Sequence, residues 1–130
     1  MEKIKSFKQL NIWQKGIEIV KDVYLLTKKF PKEELYGLSS QMKRAAISIP
    51  SNVAEGFKRY HNKEYSQFLY IALGSIGELE TQIIIAQELG FITKEELNNI
   101  SEKIDHISRM ISSLINKLKM TKYEIPNTKY

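Results

Sequence analysis

The sequence contains no cysteine, which excludes disulfides, iron–sulfur clusters and thiolate zinc sites and suits a reducing compartment. It has only two histidines, His61 and His106. Neither has Glu three positions before it, so the Glu-x-x-His pairs of a di-metal helical bundle are missing. Glu102 and His106, four apart, read as a surface pair. The longest purely apolar run, Phe68 to Leu73, is six residues, against the roughly 20 that cross a membrane. Met1 to Leu10 alternates charge with apolar residues and lacks the apolar core of a signal peptide. No phosphate-binding glycine loop or nucleophile elbow is present. Gly74-Ser75-Ile76-Gly77 spells the GxxG of an RNA-clamping loop, but it falls inside a helical stretch where that loop cannot form. The expectation is a soluble, cytoplasmic protein with no cofactor, no metal site, no membrane partner and no enzymatic activity.

What the sequence does carry is long helical periodicity. Its 130 residues, 42% hydrophobic and 27% charged, suit one globular domain with a real core. Glycine and proline fall mostly between periodic stretches. The first stretch runs from about Lys8 to Lys29, with Leu10, Trp13, Ile17, Val20 and Tyr24 on one face. Ser6 and Gln9 read as a capping box at its start, and Phe30-Pro31 ends it. After a short helical turn at Glu33 to Tyr36, the second helix spans about Ser39 to Arg59. Its stripe is Met42, Ala45, Ala46, Ile49, Val53 and Phe57, with Pro50 inside as an expected kink. The third opens at Asn62 as N-cap and runs to Leu89, with Gly90 as its stop. The fourth opens on a Thr93–Glu96 capping box, and Leu97, Ile100, Ile104, Ile107, Ile111, Leu114 and Leu118 alternate steps of three and four. Short connections favour antiparallel neighbours. The expected fold is all-α, an up-and-down antiparallel four-helix bundle over residues 1–119, with 120–130 as a loosely ordered tail.

Two surfaces exceed what one bundle needs. The third helix is apolar all round, and Gly74 and Gly77 would let another backbone approach. Tyr70, Ile71, Leu73, Gly74, Gly77, Ile84 and Ile85 are therefore the expected oligomer interface. Charge is the second excess. The net value is +5, and the topology gathers Lys3, Lys5, Lys8, Lys58, Arg59, Lys63, Lys117, Lys119 and Lys122 at one pole. Dipole balancing accounts for part of this cluster, and an anionic partner for the remainder. Tyr60, His61 and Tyr65 lie close enough to stack on bases. A polar stripe on the second helix, Arg44, Ser48, Ser51, Glu55 and Arg59, is either solvated or brings Arg44 to Glu78 or Glu80.

The motifs Leu10-x-x-Trp13-Gln14-Lys15, Phe30-Pro31 and Gly37-Leu38-x-x-Gln41-x-x-Arg44-Ala45 continue into Ser48-Ile49-Pro50-x-Asn52-x-Ala54-Glu55-Gly56. Phe68-Leu69-x-x-Ala72-x-Gly74-Ser75-x-x-Glu78-Leu79-Glu80 follows. Together they resemble the four-helix bundle proteins encoded in intervening sequences of bacterial 23S rRNA genes, over roughly residues 7–118. Gly16 departs from the family's alanine, which is expected to weaken the first helix only slightly. The resemblance implies a ring of five subunits. It also implies kinship with accessory proteins of diversity-generating retroelements, basic rings that engage RNA and a reverse transcriptase. A reverse transcriptase would be a partner if the gene lies in such an element. The functional expectation is a homo-oligomeric nucleic-acid binder favouring RNA over DNA, and the alternative is a protein-interaction scaffold without nucleic-acid contact.

Overall fold

The structure, a computed structural model, describes residues 4–120. Four helices account for most of them: α1 Asn11–Thr27, α2 Leu38–Phe57, α3 Asn62–Glu88 and α4 Lys94–Met120. Short 3-10 turns, Phe7–Gln9 and Lys32–Glu34, precede α1 and α2. Among the described residues there is no strand, so the chain is an all-α four-helix bundle. The segment expected as a tail lies almost wholly outside the described residues.

The amphipathic stripes explain how the helices pack. In α4, Leu97, Ile100, Ile104, Ile107, Ile111, Leu114, Ile115 and Leu118 are all buried. Each fully buried Leu or Ile contributes about 1.5–3 kcal/mol relative to an exposed one. They meet Met42, Ile49 and Val53 of α2 and Leu69, Ile76, Leu79 and Ile83 of α3 in one core. Gly16 touches Pro50 and Gly56 touches Phe68. Lys103 pairs with Glu18 and Asp22, while Lys29 pairs with Glu96, so partners that rise in number along one helix fall along the other. α1 and α4 therefore run antiparallel.

Three local readings of the sequence change in the structure. The Ser6–Gln9 capping box forms, but it caps the 3-10 turn, and α1 begins only at Asn11. The core face of α1 is Ile12, Gly16, Ile19 and Val23. Trp13, Ile17, Val20 and Tyr24 sit on its flank, half-buried or exposed. Both stripes have the same spacing, so periodicity alone does not choose between them. The burial of Gly16 explains its identity: a Cβ there would lie 3.1 Å from the Cβ of Pro50. Gly16 thus permits a close α1–α2 approach, beyond its small cost in helix propensity. At α3 the N-cap is His61, and Asn62 is the first helical residue.

Helix α3 is also long and apolar enough to cross a membrane by length and composition, with a mean hydropathy of 1.4 over its best window. Part of that apolarity is core, and the remainder is a stripe on its outer face. For the core itself, Ile107 is fully buried. Ile107→Asp is expected to destabilise the domain by about 4 kcal/mol or more, because it buries an unpaired carboxylate. Circular dichroism melting checks this, and a wild-type midpoint would refute the core assignment.

Candidate nucleic-acid interface

One end of the bundle is assembled by a close crossing of α2 and α3. A Cβ on Gly56 would stand 2.9 Å from the Cβ of Phe68 and 3.2 Å from the carbonyl of Tyr65. Only a residue without a side chain allows the two backbones this near. Phe57 packs edge-on against Tyr65, ring centroids 6.2 Å apart. The chain then turns within four residues, placing Lys58 and Arg59 beside the first turn of α3, where Lys63 sits.

The N-terminal segment joins the same end. Buried Ile4 and Leu10 anchor it, and the Gln9 side-chain oxygen accepts from the amides of Lys5 and Ser6. Gln14 donates to the Lys8 carbonyl at 2.9 Å. Phe7 packs edge-on against Trp13, and the Lys58 ammonium lies 5.9 Å above the Phe7 ring. The last turn of α4 contributes Lys117 and Lys119, and the Lys119 ammonium stands 5.1 Å above the Tyr70 ring of α3. Of the nine basic residues expected at this pole, seven fall within the described residues and come to this end. Lys3 and Lys122 lie outside them.

Among the described residues the carboxylates here are Glu55, which pairs with Arg59 at 3.2 Å, and half-buried Glu64. Lys117 and Lys119 lie in the last turn of α4, where the helix dipole favours cations. Lys58 and Arg59 follow the end of α2, where the same holds. Lys5 and Lys8 lie before α1, in and ahead of the 3-10 turn and at no α-helix C-terminus, and Lys63 lies beside Glu64 in the first turn of α3, where the dipole favours anions. The first turn of α1 holds no acidic residue to offset them. Helix capping therefore does not explain three of the seven cations.

Aromatic rings interleave with the cations. Arg59 lies 5.0 Å above the Phe68 ring, and Tyr60 is 63% exposed. Tyr65, expected as a stacking candidate, is buried under Gly56 and Phe57 and unavailable to a ligand. Its hydroxyl has no hydrogen-bond partner among the described residues, and burial pushes the phenol above its ordinary titration range.

The outer face of α3 adjoins this end. Tyr70, Ile71, Ile84 and Ile85 are each between 42% and 51% exposed. A Cβ on Gly74 or Gly77 would meet nothing within 4 Å. Leu73, expected with them, turns toward the core and is half-buried. A second apolar surface was not legible in the sequence. It is a shallow groove between α1 and α2 lined by Trp13, Ile17, Val20, Ile47, Pro50 and Ala54. The wide apolar arc of α1, two stripes instead of one, was its only signal.

The Arg44 stripe follows the solvated expectation: Arg44, Ser51, Glu55 and Arg59 are exposed and Glu55 pairs with Arg59. Arg44 makes no ion pair with Glu78 or Glu80 among the described residues, and Glu78 lines the same polar recess. The α2–α3 crossing is instead joined by a hydroxyl pair, Ser75 Oγ to Ser48 Oγ at 2.7 Å, with Asn52 donating to Ser48. Glu102 and His106 share an exposed recess with Asp105 and Arg109, and no group of side chains suited to a metal ion occurs among the described residues.

The model of the 23S rRNA-intervening sequence protein family matches residues 8–113. The chain belongs to that family. Solved structures similar to it include a protein from Bacteroides thetaiotaomicron, described as of unknown function and from the S23 ribosomal protein family. It aligns at a TM-score of 0.72 and 24% identity, covering 80% of this chain and 97% of the other, which supports the shared fold. No curated protein matches the sequence.

The unpartnered Tyr65 hydroxyl yields a prediction. Tyr65→Phe removes a desolvated polar group and keeps the ring, so stability should hold or rise by up to about 1 kcal/mol. A fall in the melting midpoint would show that the hydroxyl has a partner.

Proposed function

We propose that this protein is a non-enzymatic, self-associating nucleic-acid binder that engages RNA through its basic end. The observation that carries this reading is the gathering of seven exposed cations at one end, with Glu55 and Glu64 as the carboxylates beside them among the described residues. A polyanion supplies what the fold does not. Flexible lysines over a half-buried ring, Phe7, and an exposed one, Tyr70, suit phosphate contact with sequence tolerance.

Self-association rests on a separate observation. Gly74 and Gly77 each cost about 1 kcal/mol relative to Ala in a helix interior. Within the chain no neighbour within 4 Å uses the space they leave, whereas a second subunit's backbone would. The α3 face and the α1–α2 groove are unlike surfaces, which favours head-to-tail contact and hence a closed ring. Five is the number the family resemblance implies. Such a ring would place copies of the basic end along one rim, in the cytoplasm where RNA is found.

Exposed apolar surface also supports the scaffold reading, in which the same faces meet a different protein. Salt separates the two. RNA affinity should fall by about 0.7 log units per log unit of salt for each single-strand phosphate contacted. Replacing Lys58, Arg59 and Lys63 together by Gln should weaken binding across sequences and flatten that slope, without loss of fold. Filter binding at two salt concentrations measures both, and an unchanged affinity would leave the scaffold reading in its place. For assembly, light scattering behind a sizing column should give about five times the 15.1 kDa chain mass. The Gly74→Leu/Gly77→Leu variant should run as a folded monomer, since the added side chains enter open space. A parent chain that is itself monomeric would remove the interface.

A further inference from the structure

Two helices of this bundle end in residues with left-handed backbone, and they solve the problem differently. After α3, Gly90 adopts φ 81°, and the Phe91 amide donates to the Ala86 carbonyl at 2.8 Å. That is the usual helix stop with glycine where a side chain would be strained. After α2 the left-handed residue is Tyr60, φ 61°, the only non-glycine with positive φ among the described residues. An aromatic residue is unfavourable in that region, where Gly or Asn is the common solution.

Packing does not explain the tyrosine. Its ring stands 6.2 Å from that of Phe57 at a 58° tilt, and the residue remains 63% exposed. A strained backbone thus holds an aromatic face in solvent, directly after Lys58 and Arg59 and three residues before Lys63. Strained residues of this kind cluster at sites of function. Beside cations, an open ring is the stacking surface that single strands use and that duplexes, with bases already stacked, do not.

We propose that Tyr60 is a base-stacking residue, and that the ligand of the basic end is a single strand, such as a loop or end of an RNA, and not a duplex. This rests on the nucleic-acid reading above. It adds the state of the nucleic acid and one residue that selects it.

The decisive variant is Tyr60→Gly in the full chain, because its effects on folding and binding should have opposite signs. Glycine relieves the left-handed strain, so the melting temperature should rise. Loss of the ring should cut affinity for an oligoadenylate single strand by about 5- to 150-fold, the range for one stacked base. Affinity for a duplex of the same length should stay within about twofold, since that contact is with phosphates alone. Tyr60→Phe should bind the single strand as the parent does. A Tyr60→Gly protein that melts lower than the parent would assign the ring a packing role and overturn the inference. If Tyr60→Gly holds the single strand as tightly as the parent while the Lys58/Arg59/Lys63 replacement loses it, stacking is wrong and the phosphate-binding end stands. If the parent binds neither probe, both proposals fall together.

Discussion

The organisation of the molecule depends on how closely α2 and α3 cross. At Gly56 the two backbones approach within a distance that no Cβ could share with Phe68 and Tyr65. Further along the same seam, Ser48 and Ser75 join their hydroxyls, a contact that also needs the helices near one another. The connection between them is tight, and it passes through a left-handed residue, Tyr60. It sets Lys58, Arg59 and Lys63 within one turn of chain. The N-terminal 3-10 turn then closes over the same end through Phe7 and Lys58. At the far seam the requirement is looser: α1 and α4 are clasped by exposed ion pairs, Lys103 to Glu18 and Asp22 and Lys29 to Glu96, which contribute modestly in water. A hydrogen bond from Lys29, with one from the Thr93 amide, holds the Glu96 carboxyl below its ordinary range. That contribution is present at neutral pH and fades as acid protonates the carboxylate.

Much of the fold is legible in the sequence where one physical signal acts alone. The seven apolar residues of α4 chosen by spacing are all buried, because the rest of that helix is polar apart from Met110, Ile115 and Met120. The Thr93–Glu96 capping box forms with both bonds in place, 2.9 and 3.1 Å. Where two signals compete, the sequence is ambiguous. In α1 the larger side chains, Trp13 and Tyr24, suggest the core face. The core instead takes Ile12, Gly16 and Ile19, because the bulk of Pro50 leaves room only for glycine opposite. That constraint lies in another helix, and no local pattern reveals it. The polar stripe of α2 shows the same limit, since spacing does not tell which of its residues faces another helix: Ser48 meets Ser75, while Arg44 stays exposed.

The candidate interface divides in the same way. Which lysines share an end follows from topology alone, so seven of them are where connectivity places them. Which aromatics accompany them does not. Tyr65 and Tyr60 are equally close in sequence to the basic residues, yet one is buried and the other 63% exposed. The difference arises from the Gly56 crossing, which encloses Tyr65 and turns Tyr60 outward. The α3 stripe and the α1–α2 groove add a second property, two unlike apolar faces on one small body. In the proposed reading these faces are satisfied by further copies of the chain, and repetition makes one basic end into a continuous rim.

In the proposed reading, nucleic acid meets this protein at the end where α2 passes into α3. Ultraviolet cross-linking of a single-stranded RNA to the full chain, with the attached peptides identified by mass spectrometry, locates the contact without any substitution. The account predicts cross-links on the peptides that carry Phe7 and Tyr60 to Phe68. Cross-links confined to the opposite end, around Lys29 and Lys94, would contradict it.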